Sequence, residues 1–381
     1  MIDLLFCMAG VVLGILLGML PGMHVNNFLP FFILLPLTSP QFFLFVIALS
    51  MAYCFSSIFP AVLLGVPNED TALNVLPGHR LVLEGNAYPA LLVSLAGGLL
   101  VALFSVPFLL FFINFLPKIY PALQAVFPYV MLAIVFLMVL ADKKSVLIII
   151  ALSSVLGFLT FNFNLLLPLL TGFFGLSTII VSLSSKTSIP PQMLKFNSKL
   201  SLFSLSFLSF ISSFLSSIFG FIPTVSSAIV GTMASYLRKF DSEEFLVLLS
   251  STNVAYMSYS FFALSLVQKT RSGSAVFLSQ LSGGGSIFFI LGIILLSSAL
   301  SFSICFKLAK PMVRLYKRVN YRKLSFLSIF LLVFVNFALA GPFGLLVLMT
   351  STSIGLLANS LGVKRTACMS ALIAPTIAVL L

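Results

Sequence analysis

The sequence predicts an all-α membrane protein, a polytopic helical bundle of two inverted-topology repeats with broken or re-entrant helices. Three observations carry this. The chain of 381 residues is 60% hydrophobic and only 7% charged, with a mean hydropathy of +1.22. Apolar stretches of about 20 residues, enough to cross roughly 30 Å of hydrocarbon, follow one another with few breaks. A pattern of interruption near the start also recurs 202 positions later. Gly18-Met19-Leu20-Pro21-Gly22 is matched by Gly220-Phe221-Ile222-Pro223-Thr224, and Phe59, Ala61 and Leu64 fall on Phe261, Ala263 and Leu266.

A soluble domain of this composition could not cover its surface with polar groups. In lipid the backbone must satisfy itself, so spans are helices or barrel strands, and the period-2 alternation of a barrel is absent. The first repeat, residues 1–183, holds apolar segments at about 3–20, 23–37, 41–66, 87–116, 120–140, 144–160 and 162–183. Residues 184–199, with Lys186, Lys195, Lys199 and the Pro190-Pro191 breaker, form a cytoplasmic linker. The second repeat, 200–381, holds segments at about 200–219, 223–237, 241–267, 284–306, 325–340, 343–360 and 366–381. The second segment of each repeat, 25–37 or 225–237, gives under about 20 Å of helix, short enough for a re-entrant half-helix. The first segment lacks the basic flank and cleavage site of a signal peptide and is expected in the mature chain.

The net charge of +12 lies mostly in short loops, where it sets orientation rather than binding nucleic acid. The run 307–323, with Lys307, Lys310, Arg314, Lys317, Arg318, Arg322 and Lys323, is expected as a cytoplasmic loop or surface helix beside anionic headgroups. With that run inside, Arg80, Lys143-Lys144, the linker, Arg238-Lys239 and Lys364-Arg365 all fall inside, and Thr38-Ser39-Pro40 outside; Lys118, Lys269 and Arg271 are exceptions. Seven segments is an odd number, so the second copy is inserted upside down, the arrangement used for alternating access. The expected location is the cell membrane, as a multi-pass protein. Four scattered cysteines and two histidines offer no zinc site, disulfide framework or transition-metal cage.

Pro21 and Pro223 must stop or kink their helices. The residues after them are polar: His24, Asn26 and Asn27 in one copy, Thr224, Ser226 and Ser227 in the other. Helices starting there point free N–H groups at whatever sits in front, which suits an anion; an interfacial hairpin facing water is the plainer reading. Asn68-Glu69-Asp70-Thr71 in the first copy faces Lys269-Thr270-Arg271-Ser272 in the second. One reading has these tips meeting near the midplane, Lys269 and Arg271 taking a substrate carboxylate and the acidic stretch a coupling proton or sodium ion. A structural ion pair or exposed loop charges fit equally. Asn253, in Ser251-Thr252-Asn253, is a substrate-binding candidate, although a lone amide in a span often only joins helices. No catalytic residue, metal site or resident cofactor is expected, and no nucleotide-binding loop is present.

Several of these stretches resemble the large membrane subunit of tripartite tricarboxylate transporters, the TctA family. Gly14-x3-Gly18-x2-Pro21-Gly22 with Leu34-Leu35-Pro36-Leu37-Thr38 resembles the family's opening. Leu64-Gly65-Val66-Pro67-Asn68-Glu69-Asp70-Thr71-Ala72, with Leu76-Pro77-Gly78-His79-Arg80-x4-Gly85-x3-Pro89-Ala90-Leu91, resembles its proline-bearing loop. The chain looks like a divergent and shorter member: Thr224 stands where a glycine would follow the proline, Gln268-Lys269 replaces a Pro-Gly pair, and an asparagine pair is reduced to Asn253. The resemblance implies a permease for citrate-like carboxylates, driven by an ion gradient and working with a small membrane subunit and an extracytoplasmic binding protein; self-association is left open. The rivals are a membrane enzyme acting on a lipid-linked phosphate, with Glu69 or Asp70 as acid or base, and a scaffolding subunit.

Overall fold

The structure, a computed structural model, describes residues 2–20, 25, 28–32, 37–64, 71, 74–140, 142–163, 165–184, 190–219, 227, 230–231, 240–269, 272–279, 286–316 and 321–381. Those residues form a helical membrane bundle. Its helices are α1 (Ile2–Gly18), α2 (Leu29–Phe32), α3 (Ser39–Ser56), α4 (Ile58–Leu64), α5 (Val75–Leu83), α6 (Ala87–Leu140), α7 (Val146–Thr160), α8 (Leu166–Leu170) and α9 (Ser177–Ser184). They continue with α10 (Leu202–Phe219), α11 (Ser242–Val267), α12 (Gly273–Ser279), α13 (Ile287–Tyr316), α14 (Tyr321–Ser360) and α15 (Ser370–Leu380). Seven helical stretches of the described residues are long and apolar enough to cross a membrane.

Capping residues set the two innermost helices. Pro40 occupies the first turn of α3, and the Thr38 N–H donates to Gln41 Oε1 at 3.1 Å. At α11 the Glu244 N–H donates to Asp241 Oδ1 at 2.8 Å, and the Asp241 N–H donates to Glu244 Oε2 at 3.2 Å. Glu243 and Glu244 place negative charge at the positive end of the helix dipole. Gln268, at φ 54°, ends α11 in the left-handed conformation with its N–H on Ala263 O. Helix α3 stops at Ser56 because Pro60 offers no N–H to that carbonyl and crowds it; α4 resumes after Ser57. Phe262 stands 202 positions beyond Pro60, and α11 runs unbroken for 26 residues.

Glycines fix how α1 meets α3. A Cβ on Gly10 would lie 2.5 Å from Phe45 O; one on Gly14 would strike Leu49 O, and one on Gly18 would strike Ser56 Oγ. Contacts advance in the same direction along both helices, so α1 and α3 are parallel. The Phe32 ring lies 5.3 Å from that of Phe45 on α3. The expected second copy has serines at the corresponding positions. Ser212 and Ser216 stand 202 positions beyond Gly10 and Gly14, Ser212 Oγ donates to Leu248 O at 3.1 Å, and Gly231 packs on Leu249.

Between copies, α3 crosses α11. Ser258 Oγ lies 3.9 Å from Met51 Sδ, and a Cβ on Gly98 of α6 would lie 3.1 Å from both Phe55 and Val254. Numbers rise along one helix as they fall along the other, so the crossing is antiparallel. The surrounding contacts are reciprocal: α6 packs on α11 and α13 on α3, while α10 packs on α6 and α1 on α13.

Two expected boundaries differ. Residues 87–140, expected as two segments, form one 54-residue helix containing Pro107, Pro117, Pro121 and Pro128. A straight helix of that length would measure about 80 Å, more than twice the hydrocarbon thickness, so these prolines are where its course can change. The sequence suggested a break because Pro117-Lys118 looks like a loop. The apolar residues on both sides instead continue the helix, and a membrane helix tolerates proline when its freed carbonyl finds another partner. The basic run is also more helical than a loop: α13 carries Lys307, Lys310 and Arg314 exposed before ending at Tyr316. The expected break between 340 and 343 is present, where Gly341 adopts φ 63° and ψ −164° before Pro342.

In a cysteine-free background, Met51→Cys with Ser258→Cys should form a disulfide under mild oxidation, whereas Met51→Cys with Ala263→Cys should not. The reverse yields on a non-reducing gel would contradict the antiparallel crossing. Gly14→Val should destabilise the protein by about 1–3 kcal/mol through overpacking, read as an earlier thermal transition in detergent. Gly292→Ala, with open space around its Cβ position, should leave the transition in place.

Candidate functional site

The α3–α11 crossing carries an unusual amount of polar surface for the interior of a membrane bundle. Both helices are enclosed by protein along most of their length, and the other long spans are largely exposed. Ser50 Oγ donates to Ser274 Oγ at 2.7 Å, and Ser260 Oγ donates to Ser272 Oγ at 2.8 Å. Ser272 Oγ also accepts the Ala275 N–H at 3.2 Å, so the start of α12 is tied to α3 and α11 together. Ser213 Oγ and Tyr259 Oη lie 2.9 Å apart in the same core.

Other polar groups there are also buried. Asn253 is 3% exposed and Ser227 is 2% exposed. Among the described residues Ser227 Oγ and Ser251 Oγ have no hydrogen-bond partner. Each such group costs about 1–3 kcal/mol if left dry, so water or a ligand is the expected companion.

Gly231 packs against Leu249. Asn253 lies four positions after Leu249, on the same face of α11. Ser227 lies four positions before Gly231 in sequence. Asn253 is the twelfth residue of α11, about 17 Å from its start.

Of the candidates from the sequence, Asn253, Ser227 and Ser272 are buried at this crossing, and Thr71 is buried as well. Lys269 is exposed just past the C-terminus of α11, about 40 Å from that helix's start. His24, Asn26, Asn27, Asn68, Glu69, Asp70, Thr224, Ser226, Thr270 and Arg271 lie outside the described residues. Ser50, Ser258, Ser260 and Ser274 were not singled out from sequence. Their signal was faint, since isolated serines in apolar helices also serve simple packing.

A different polar site lies at one face of the bundle. A cavity of about 570 Å³ is lined by Arg80, Glu84, Lys199, Phe240, Asp241 and Glu243, among others. The linker closes it. Gln192 Nε2 donates to Val82 O at 2.8 Å, the Ala87 N–H donates to Gln192 Oε1 at 3.1 Å, and the Met193 N–H donates to Gly85 O at 2.8 Å. The Lys199 N–H donates to Glu243 Oε2 at 3.3 Å, and Arg80 pairs with Glu84 at 3.2 Å. The linker thus fastens the α5–α6 turn of the first half to the start of α11. Beside this cavity, burial pushes the His79 imidazole below its usual pKa.

The chain matches the Tripartite tricarboxylate transporter TctA family over residues 4–370 and belongs to it. It is also similar to an uncharacterized protein of Methanocaldococcus jannaschii, 29% identical over 99% of this chain and 98% of that protein. No solved structure matches the chain.

The His79 shift has a definite sign. Its folded pKa lies below the unfolded value near 6.5, so the neutral form is favoured on folding. That contribution is fully present above about pH 6.5 and is lost as pH falls below it. The thermal midpoint of the parent should drop on acidification from pH 7.5 to 5.5 more steeply than that of His79→Gln. Identical slopes would remove His79 as a source of acid sensitivity.

Proposed function

We propose that this TctA-family protein, a tricarboxylate transporter-type membrane protein, is a secondary-active permease for small di- or tricarboxylate-like organic anions, working by alternating access. The observation that carries the site is the buried Ser227 hydroxyl, which has no partner among the described residues, with Asn253 buried on α11. A transported anion needs desolvated donors, and a buried hydroxyl and carboxamide fit that need. Ser272 adds a hydroxyl at the start of α12. Thr224, Ser226, Thr270 and Arg271, with His24, Asn26 and Asn27 from the first copy, complete the proposed substrate set. Lys269 is assigned to entry at the membrane face, in keeping with its exposure.

Alternating access follows from the proposed inverted repeat. Two features support the inversion: equivalent helices α3 and α11 cross antiparallel, and their neighbours pack reciprocally. The shared-face cavity supports the charge-based orientation, because Arg80, Lys199 and Asp241, all near positions expected inside, line one pocket. In this reading Asn68, Glu69, Asp70 and Thr71 handle the coupling ion, a proton or sodium. Tripartite transporters work with other subunits and a binding protein, and this chain is proposed to work in the cell membrane with a small membrane subunit and an extracytoplasmic binding protein.

The test is uptake of labelled citrate and shorter carboxylates into proteoliposomes under separate sodium and proton gradients, with and without co-expressed partner subunits. The parent should accumulate an anion under one gradient. Asn253→Ala should lower uptake at least about tenfold, the scale of losing hydrogen bonds to a charged ligand. Arg271→Ala should abolish uptake and Glu69→Gln should uncouple it from the gradient. Full uptake by Asn253→Ala would move the site away from the crossing. Absence of uptake for every carboxylate, by folded protein with its partners present, would refute the substrate class.

A further inference from the structure

Two loops more than 200 residues apart in sequence meet at one end of the bundle. Asp142, just before α7, joins them: its Oδ1 accepts the Lys143 N–H at 2.8 Å, and its Oδ2 accepts the Lys364 N–H at 2.7 Å. The second loop turns at Gly362, where φ is +63°, and Lys143 Nζ lies 2.8 Å from where a Cβ would stand. A side chain there would be strained by the backbone and would collide with the lysine. The Lys143 ammonium is thereby laid across the 361–364 turn. Lys143, Lys144 and Lys364 are exposed, and Arg365 is half-buried with Nη1 donating to Ser177 Oγ at 3.4 Å.

Three exposed lysines and one half-buried arginine sit in the two loops that the Asp142 carboxylate joins, and both oxygens of that carboxylate accept backbone N–H groups. Among the described residues Lys143 and Lys144 form no ion pair. Such a concentration of like charge favours an anion nearby.

What lies next to the cluster sets the kind of anion. Helix α7 starts immediately after these lysines and is a membrane-spanning stretch. One of its faces, Ile148, Leu152, Val155 and Leu159, is exposed along its length, with the i, i+4, i+7, i+11 spacing of a helix stripe. In a bilayer that stripe meets acyl chains, and the basic loops above it stand at headgroup height. A basic head site over an apolar groove wall matches an amphiphile rather than a free ion.

We propose that the 142–144 and 361–365 loops form a binding site for an anionic phospholipid, its phosphate held by Lys143, Lys144 and Lys364 and its acyl chain lying along the exposed face of α7. Arg365 supports the site from its inner side. The site stands apart from the α3–α11 crossing and does not depend on the transport reading. It gives the membrane a handle on the junction of α7 and α15, which pack against each other.

The experiment uses the full chain in nanodiscs of equimolar phosphatidylglycerol and phosphatidylcholine, extracted into mild detergent, with retained lipid quantified by native mass spectrometry. The parent should retain phosphatidylglycerol preferentially. Lys143→Gln with Lys144→Gln should lower that preference by about fivefold per lysine removed. Lys143→Arg with Lys144→Arg should keep it, which separates loss of charge from loss of fold. Lys307→Gln with Lys310→Gln, on α13, should leave it unchanged. Equal retention of the two lipids by the parent would overturn the proposal, and so would an equal drop in the α13 control. Displacement of phosphatidylglycerol by millimolar inorganic phosphate would also overturn it, by showing a site for soluble anions.

Discussion

The antiparallel crossing of α3 and α11 is the constraint on which the rest of the bundle depends. Helices in lipid satisfy their own backbones, so the free energy that holds them together comes from close approach and from polar contacts. Here the close approach is built from small residues. Gly10, Gly14 and Gly18 let α1 lie on α3, Ser212 and Ser216 let α10 lie on α11, and Gly97 and Gly98 let α6 reach α11 and the crossing itself. The reciprocal neighbours then enclose both inner helices, and the outer helices expose large apolar side chains such as Phe136, Leu159 and Phe330.

The two copies of the proposed repeat differ in content. Where the second has Ser227 and Asn253, the first has Val25 and Met51 at the corresponding positions, and the Met51 sulfur accepts from Ser258. Where the first breaks its inner helix at Pro60, the second continues through Phe262. One half brings buried polar groups to the interior, and the other brings a broken helix and a thioether.

The helical membrane class and the break at Gly341-Pro342 were legible because long apolar runs and Gly-Pro punctuation act locally on the chain. The continuity of α6 was not, since proline and lysine at 117–118 carry the same local signal whether a helix ends or only bends there. Asn253 and Ser227 could be named from their polarity. That Ser227 is buried without a partner among the described residues could not be read from sequence, because burial depends on which helices pack around it. The approach of Asp142 to Lys364 is of the same kind: each loop alone looks like an ordinary cytoplasmic basic pair.

A buried hydroxyl or carboxamide without a partner is a liability in a membrane core, and substitution by an apolar residue would ordinarily remove it. The first copy shows that the fold accepts the apolar version, with Val25 wholly buried and Met51 likewise. Packing alone therefore does not require Ser227 and Asn253 where they are. Their neighbours Ser260, Ser272, Ser50 and Ser274 pair with one another, while among the described residues Ser227 Oγ and Ser251 Oγ have no partner. Paired hydroxyls beside unpaired ones suit the proposed binding of a passing solute, because the paired groups hold the helices in place when the solute leaves and the unpaired ones can exchange its contacts for water.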